Sequence, residues 1–76
     1  MEVIVGRVYK HYKGDYYIVQ NIAIHSETGE KMVVYQGLYG DGPIYTRPYD
    51  LFIDKVNKNG QEFRFELQKI NSVVTR

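Results

Sequence analysis

No cysteine occurs in this 76-residue sequence, which excludes a disulfide scaffold and fits a reducing cytoplasm. Charge of one sign is missing too. Ten basic residues meet nine acidic ones, and a net charge of +1 creates no bulk field to draw in nucleic acid or an anionic membrane. No stretch nears the roughly 20 apolar residues of a membrane span, so no membrane partner is expected. The opening Met1-Glu-Val-Ile-Val-Gly6 carries an acid and a short apolar run, unlike the basic flank and longer apolar core of a signal peptide. The two histidines, His11 and His25, match no standard metal-ligand spacing with Glu27, Glu30 and Asp41, so no metal or other cofactor is expected. No repeat, low-complexity tract or heptad is present, and no window of helical length keeps a clean 3.6-residue period.

What the chain does have is aromatic side chains. Eight tyrosines and three phenylalanines make up 14% of the residues. At this length only roughly 60% of the unfolded chain's surface can be buried, so the small core has to lean on aromatic packing or self-association. Turn signals at Lys13-Gly14-Asp15, Glu27-Thr28-Gly29, Gly40-Asp41-Gly42-Pro43 and Asn59-Gly60 have the short, even spacing of an all-β domain. The segments between them are rich in Val, Ile, Tyr and Phe, which suit a pleated, half-buried surface. The pattern predicts strands over 7–12, 16–25, 31–37, 44–47 and 61–69. A further short strand around Lys55 and Val56 should pair with the last one through a type I′ turn at Asn59-Gly60. In the last strand Phe63, Phe65 and Leu67 should face the core. In the second, Tyr16, Ile18, Ile22 and Ile24 share one face, and Tyr17, Val19 and Ala23 share the other. Pro48-Tyr-Asp-Leu-Phe52 reads as one helical turn that begins on a proline and offers Leu51 and Phe52 to the core. Together these features predict a single all-β domain over 1–76 with one short helical turn. Its expected form is a five- to six-stranded SH3-like or comparable small barrel with its core over 6–69 and a frayed tail after 70.

The run Gly6-Arg-Val-Tyr-Lys-His-Tyr-Lys-Gly14 is followed by Tyr17, His25-Ser-Glu-Thr28, Val33-Val-Tyr35, Leu38-Tyr-Gly-Asp-Gly42, Arg47-Pro48 and Phe52. This ordered set resembles a family of small bacterial and phage domains known as domain of unknown function 1653. The resemblance spans nearly the whole chain, implies a small β-rich domain and brings no established activity. Two departures stand out. The family pattern has a tryptophan where this chain has Tyr45, and a basic or larger pair where it has Gln36-Gly37. If those positions line a pocket, this chain's pocket is wider or less basic.

The residue types suited to binding a polar, partly flat ligand crowd between His25 and Pro48. Arg47 precedes a proline, which keeps its backbone extended, and its guanidinium can fork onto a phosphate or carboxylate or stack on a ring. An ion pair with Asp41, Asp50 or Asp54 would instead make it structural. Tyr39 and Tyr45 flank a loop and could stack on a ligand, whereas Tyr35 shares a face with Val33 and leans toward the core. His25 and His11 could titrate near neutrality or simply tie down strand ends. Asp41 sits in a glycine-rich turn without P-loop spacing. Ser26 reads as a turn-forming hydroxyl rather than a nucleophile. No acid, base and nucleophile converge, so no catalytic residue is expected. The composition therefore points to a non-catalytic module that recognises a small polar or nucleotide-like ligand, or a peptide, through Tyr39, Tyr45, Arg47, His25, Asp41 and His11. Alternatives are an RNA or single-stranded DNA binder using the same tyrosines with Arg7, Lys10 and Lys13, and a protein-interaction or homo-oligomer module.

Overall fold

The structure, a computed structural model, describes residues 2–69. Its elements are β1 (Val8–His11), β2 (Tyr16–Ile24), β3 (Lys31–Gly37), β4 (Ile44–Pro48), α1 (Tyr49–Phe52), β5 (Lys55–Lys58), β6 (Gln61–Phe63) and β7 (Phe65–Leu67). Five strands form an antiparallel sheet in the order β4-β3-β2-β1-β7, and β5 pairs with β6 in a separate hairpin. The chain is mostly β with one helical turn, as its turn spacing predicts. The expected fraying of the tail lies outside the described residues.

Two expectations need correcting. The sheet does not close into a barrel: among the described residues β4 and β7 are its two edges and share no ladder. The expected last strand is also two strands, because Arg64 is held out of line. Its side chain grips Asp54 through Nε and a terminal nitrogen at 2.7 and 3.0 Å. Its backbone N–H donates to the Asp54 carbonyl, and its own carbonyl accepts from Tyr12 N–H. The chain therefore turns from the β5–β6 hairpin into the main sheet at this residue. The sheet still curls far enough to bring its edges together through side chains. The Arg47 guanidinium of β4 stands 5.7 Å from the ring centre of Phe65 in β7. At the hairpin itself Asn59 and Gly60 both have positive φ, 53° and 77°, as a type I′ turn requires.

A β-bulge decides which side chains reach the core. Val19 pairs with Tyr35 and Asn21 with Val34, so Gln20 is an extra residue in β2. Tyr17 and Val19 face inward, and after the bulge the inward face passes to Ile22, which packs on the core. Strict alternation puts Ile22 on the opposite face from Val19, and the extra residue cancels that offset. The core consists of Val3, Tyr9, Val19, Val33, Tyr35, Phe52 and Phe65. Phe52 and Phe65 stack with centroids 4.0 Å apart, and Tyr9 meets Phe52 edge-on. Of the three residues expected inward at the chain's end, only Phe65 is buried; Leu67 is exposed and Phe63 half-buried. Pro48 has ψ 140°, so it closes β4 and caps α1 rather than opening the helix. The single turn that follows buries Phe52 and leaves Leu51 exposed, since four helical residues can aim only one such side chain at the core.

Two tertiary contacts set expected limits on stability with pH. The Arg64 guanidinium, hydrogen-bonded to Asp54, holds that carboxyl below the usual carboxylate range. A depressed folded value contributes stability above the unfolded value that is lost as pH falls through the folded one. Below about pH 4 the pair should therefore give up about 0.5–1 kcal/mol. Urea titrations at pH 5 and pH 3 should show a larger drop for the native protein than for Asp54→Asn. At the other extreme, burial pushes the Tyr9 phenol up, while its oxygen accepts the Ile4 N–H at 2.9 Å. A raised folded value means stability is lost as pH climbs from about 10 toward that value. Tyr9→Phe should flatten this alkaline limb, measured by circular dichroism against pH.

Candidate functional site

Cross-strand neighbours share a face of a sheet, and the pairing puts an aromatic row on the concave side. Tyr45 of β4 lies opposite Tyr35 of β3, which lies opposite Val19 of β2. Tyr17 stands between Tyr9 of β1 and Gly37 of β3, and His11 pairs with Phe65. The Gly37 gap is filled from outside the strand: a Cβ built there would come within 2.6 Å of the Tyr39 ring. The absence of a side chain at 37 therefore lets the loop tyrosine pack closely against the sheet. The Tyr39 and Tyr45 hydroxyls are 2.8 Å apart, and those of Tyr39 and Tyr17 3.4 Å apart. Hydrogen bonding to Tyr17 raises the Tyr39 phenol, and hydrogen bonding to Tyr39 raises that of Tyr45, so both are neutral at physiological pH.

These rings do not form an empty cage. Tyr17 lies 5.6 Å from Tyr39 and 6.2 Å from Tyr45, and Tyr35 lies 5.7 Å from Tyr45, centroid to centroid. Such distances are direct ring contacts, leaving no space for an ammonium group between them. A guest would have to meet the outward surfaces of Tyr39 and Tyr45, which are 37% and 40% exposed. Gly37→Ala tests the arrangement. The added methyl should displace the Tyr39 ring and part its hydroxyl from Tyr45 while the fold survives, because a flexible ring can move aside. Tyrosine ring proton shifts by NMR should change at Tyr39 and Tyr45, with a modest loss in melting temperature.

Arg47 belongs to the same face. Its Nε donates to the Tyr35 hydroxyl at 3.3 Å, and its guanidinium lies over Phe65. The ion pair with Asp41, Asp50 or Asp54 does not form. Asp54 is bound to Arg64, and the two salt bridges among the described residues are Arg64–Asp54 and Lys55–Glu62. His11 is half-buried against Tyr12 and Phe65, with centroids at 4.6 and 4.8 Å. Burial lowers its pKa first, then the charges of Arg47, Arg64 and Lys13, with Asp15 opposing them.

Other expected site residues lie elsewhere. His25 follows β2 at the far end of the β2–β3 ladder, about 25 Å from Tyr17 by strand rise. There its Nδ1 accepts the N–H groups of Glu27 and Thr28, and its carbonyl accepts that of Gly29. It organises the turn, together with the Thr28 hydroxyl that accepts Glu30 N–H, in the role expected of Ser26. Asp41 is exposed in the loop after Tyr39. The amides around it serve the loop itself, with Gly42 N–H on the Tyr39 carbonyl and Gly37 N–H on that of Pro43. Phe65, Tyr17 and Gly37 are participants that the sequence had not placed among the ligand-binding residues. A cleft of about 280 Å³ beside the β5–β6 hairpin is lined by Asn57, Gly60, Gln61 and Glu62, none of which belongs to the aromatic face. Among the described residues no group of three His, Cys, Asp or Glu gathers as a metal site, and no helix is long and apolar enough to cross a membrane.

Residues 7–67 match the family described as "Protein of unknown function (DUF1653)". The chain belongs to this family. A crystal structure of a protein belonging to DUF1653 from Bordetella bronchiseptica is similar at 32% identity and a TM-score of 0.76, over 96% of this chain and 95% of that one. No curated protein matches. The matched span runs from Arg7 to Leu67, so every member of the aromatic face and Arg47 lies within the DUF1653 region. Tyr45 and Gly37 contribute to the aromatic face, and Gln36 braces the loop beside it. Tyr45 carries one of the linked hydroxyls. Gln36 donates to the Gly42 carbonyl at 2.9 Å and accepts from Gln20 at 2.6 Å, while Gly37 makes room for Tyr39.

Proposed function

We propose that this DUF1653 domain is a non-catalytic binding module for a small, flat ligand bearing an anionic group. Arg47 carries the reading: it makes no salt bridge among the described residues, yet it is held over Phe65 beside an exposed, hydroxyl-linked tyrosine pair. A structural arginine ordinarily bonds a carboxylate, whereas one held in place without a salt bridge suits recognition of an anion. Stacking on Tyr39 and Tyr45 would supply about 1–3 kcal/mol for a ring.

A nucleic-acid module has less support. Lys10 pairs with Tyr16 and Glu66 on the opposite face, and an Arg7 terminal nitrogen is engaged by the Gln68 carbonyl, so the expected basic track is not gathered beside the tyrosines. Native mass spectrometry of the protein as purified from cells is the first test. A retained small molecule that Tyr45→Ala loses would support the module. A clean spectrum, with no thermal shift from a panel of nucleotides and aromatic acids, would overturn it, and the subunit number would show whether the open β4 edge is instead a self-interface.

A further inference from the structure

We propose that Arg47, His11 and Tyr35 form a phosphate-binding subsite at the rim of the aromatic face, next to the Tyr39–Tyr45 pair. This deepens the small-ligand reading by naming the anion and its donors, and it stands on a separate observation, namely the concentration of hydrogen-bond donors lacking acceptors. Arg47 uses Nε on the Tyr35 hydroxyl, and its terminal nitrogens have no hydrogen-bond partner among the described residues. Tyr35 accepts that bond, which leaves its own hydroxyl proton to give. For His11 the proton's place is set by its neighbour: Lys13 N–H donates to Nδ1 at 3.1 Å, so in the neutral ring Nε2 carries the hydrogen. That N–H also has no acceptor among the described residues.

The three donors come from β4, β3 and β1 and surround one ring. Arg47, Tyr35 and His11 lie 5.7, 5.4 and 4.8 Å from the Phe65 centroid, and Phe52 stacks against the same ring at 4.0 Å. No carboxylate hydrogen-bonds the trio: Asp54 is held by Arg64, and only its charge reaches Arg47. Phosphate suits the set better than carboxylate. The side of the guanidinium that would fork onto a planar carboxylate through Nε is engaged by Tyr35, whereas a phosphoryl group can share several oxygens among donors on three strands.

The arrangement also makes anion binding depend on pH. The groups around His11 are Lys13 and Asp15 in the β1–β2 turn, Tyr12 beside it, Tyr17 from β2, Arg47 from β4, and Arg64 and Phe65 at β7. Burial and three cations against one acid disfavour the imidazolium. A bound anion would reverse that balance, so by linkage its affinity rises as pH falls through the histidine's titration.

Ring NMR of the histidines tests this, with His25 at the far end of the sheet as an internal control. Inorganic phosphate is one probe; sulfate, whose charge does not change over the range, is the second. Both should raise the titration midpoint of His11 and leave His25 unmoved, and sulfate should bind about tenfold more tightly to the protonated form. Arg47→Met should abolish the effect, and Tyr35→Phe, which preserves the ring, should weaken it. Equal responses at both histidines, an unchanged response in both variants, or tighter binding of acetate than of phosphate would overturn the subsite. Failure here alongside a flat ligand retained in native mass spectrometry would leave the binding module standing. A positive result here with no flat ligand would retain the subsite and remove the stacking half of the module.

Discussion

Phe65→Ala is expected to destabilise the domain by about 3–5 kcal/mol, the cost of removing a buried aromatic and leaving a cavity. Phe65 is 1% exposed and joins separate parts of the molecule. It stacks on Phe52 of α1, meets Tyr35 of β3 and Tyr17 of β2 edge-on, and lies beneath Arg47 of β4. The sheet has no ladder between β4 and β7, so this ring stands in for the missing closure. Small domains have only about 5–15 kcal/mol of stability in total, and one of this length loses about 4–8 °C of melting temperature per kcal/mol. Thermal unfolding by circular dichroism should show a fall of at least about 12 °C, or no folded baseline. A shift below about 4 °C, equivalent to under 1 kcal/mol, would mean that the sheet holds its curl without this ring.

Arg47→Ala should separate binding from folding. Its contacts within the fold are one hydrogen bond to a hydroxyl and one approach to a ring, each worth about 1 kcal/mol, so the melting temperature should drop by no more than about 8–16 °C. Losing the charged partner of a bound anion costs about 2–5 kcal/mol, or about thirtyfold and upward in affinity. Isothermal titration with inorganic phosphate, paired with a thermal melt, reads both quantities. A large stability loss with unchanged anion affinity would make Arg47 a structural residue. The native sign of the effect also has a salt signature, since a single recognised phosphate should show a shallow salt dependence and a nucleic-acid track a steep one.

Much of the fold was legible in the residues because local chemistry decides it. Asn59-Gly60 can take positive φ at both positions, so the hairpin followed from that dipeptide. The strand over 31–37 has its predicted ends because glycine turns bound it on both sides. Tyr35 and Val33 were assigned to the core by alternation, and both are buried. Alternation failed in β2, where one extra residue, Gln20, resets the inward face, and a bulge leaves no compositional mark. It failed again after Gln61, where Arg64 breaks the strand to reach Asp54 ten positions away. Within the site, Tyr39, Tyr45 and Arg47 could be picked out by their types near one loop. His25 shared that reasoning but stands at the other end of the ladder, because an antiparallel hairpin carries residues a few positions apart to opposite ends of a long strand.

The sequence by itself determined an all-β domain, an aromatic core and the turn positions. These follow from backbone permissiveness and side-chain period, which act over a few residues. Only the tertiary structure decided that Gly37 makes space for Tyr39, that Phe65 from the end of the chain sits beneath Arg47, and that His11 joins them while His25 does not. It also decided that Asp54 bonds Arg64 and leaves Arg47 without a salt bridge, though within reach of the Asp54 charge. Those outcomes depend on strand order, register and curl. They are set by which distant surfaces pack best, a competition across the whole chain that no local pattern records.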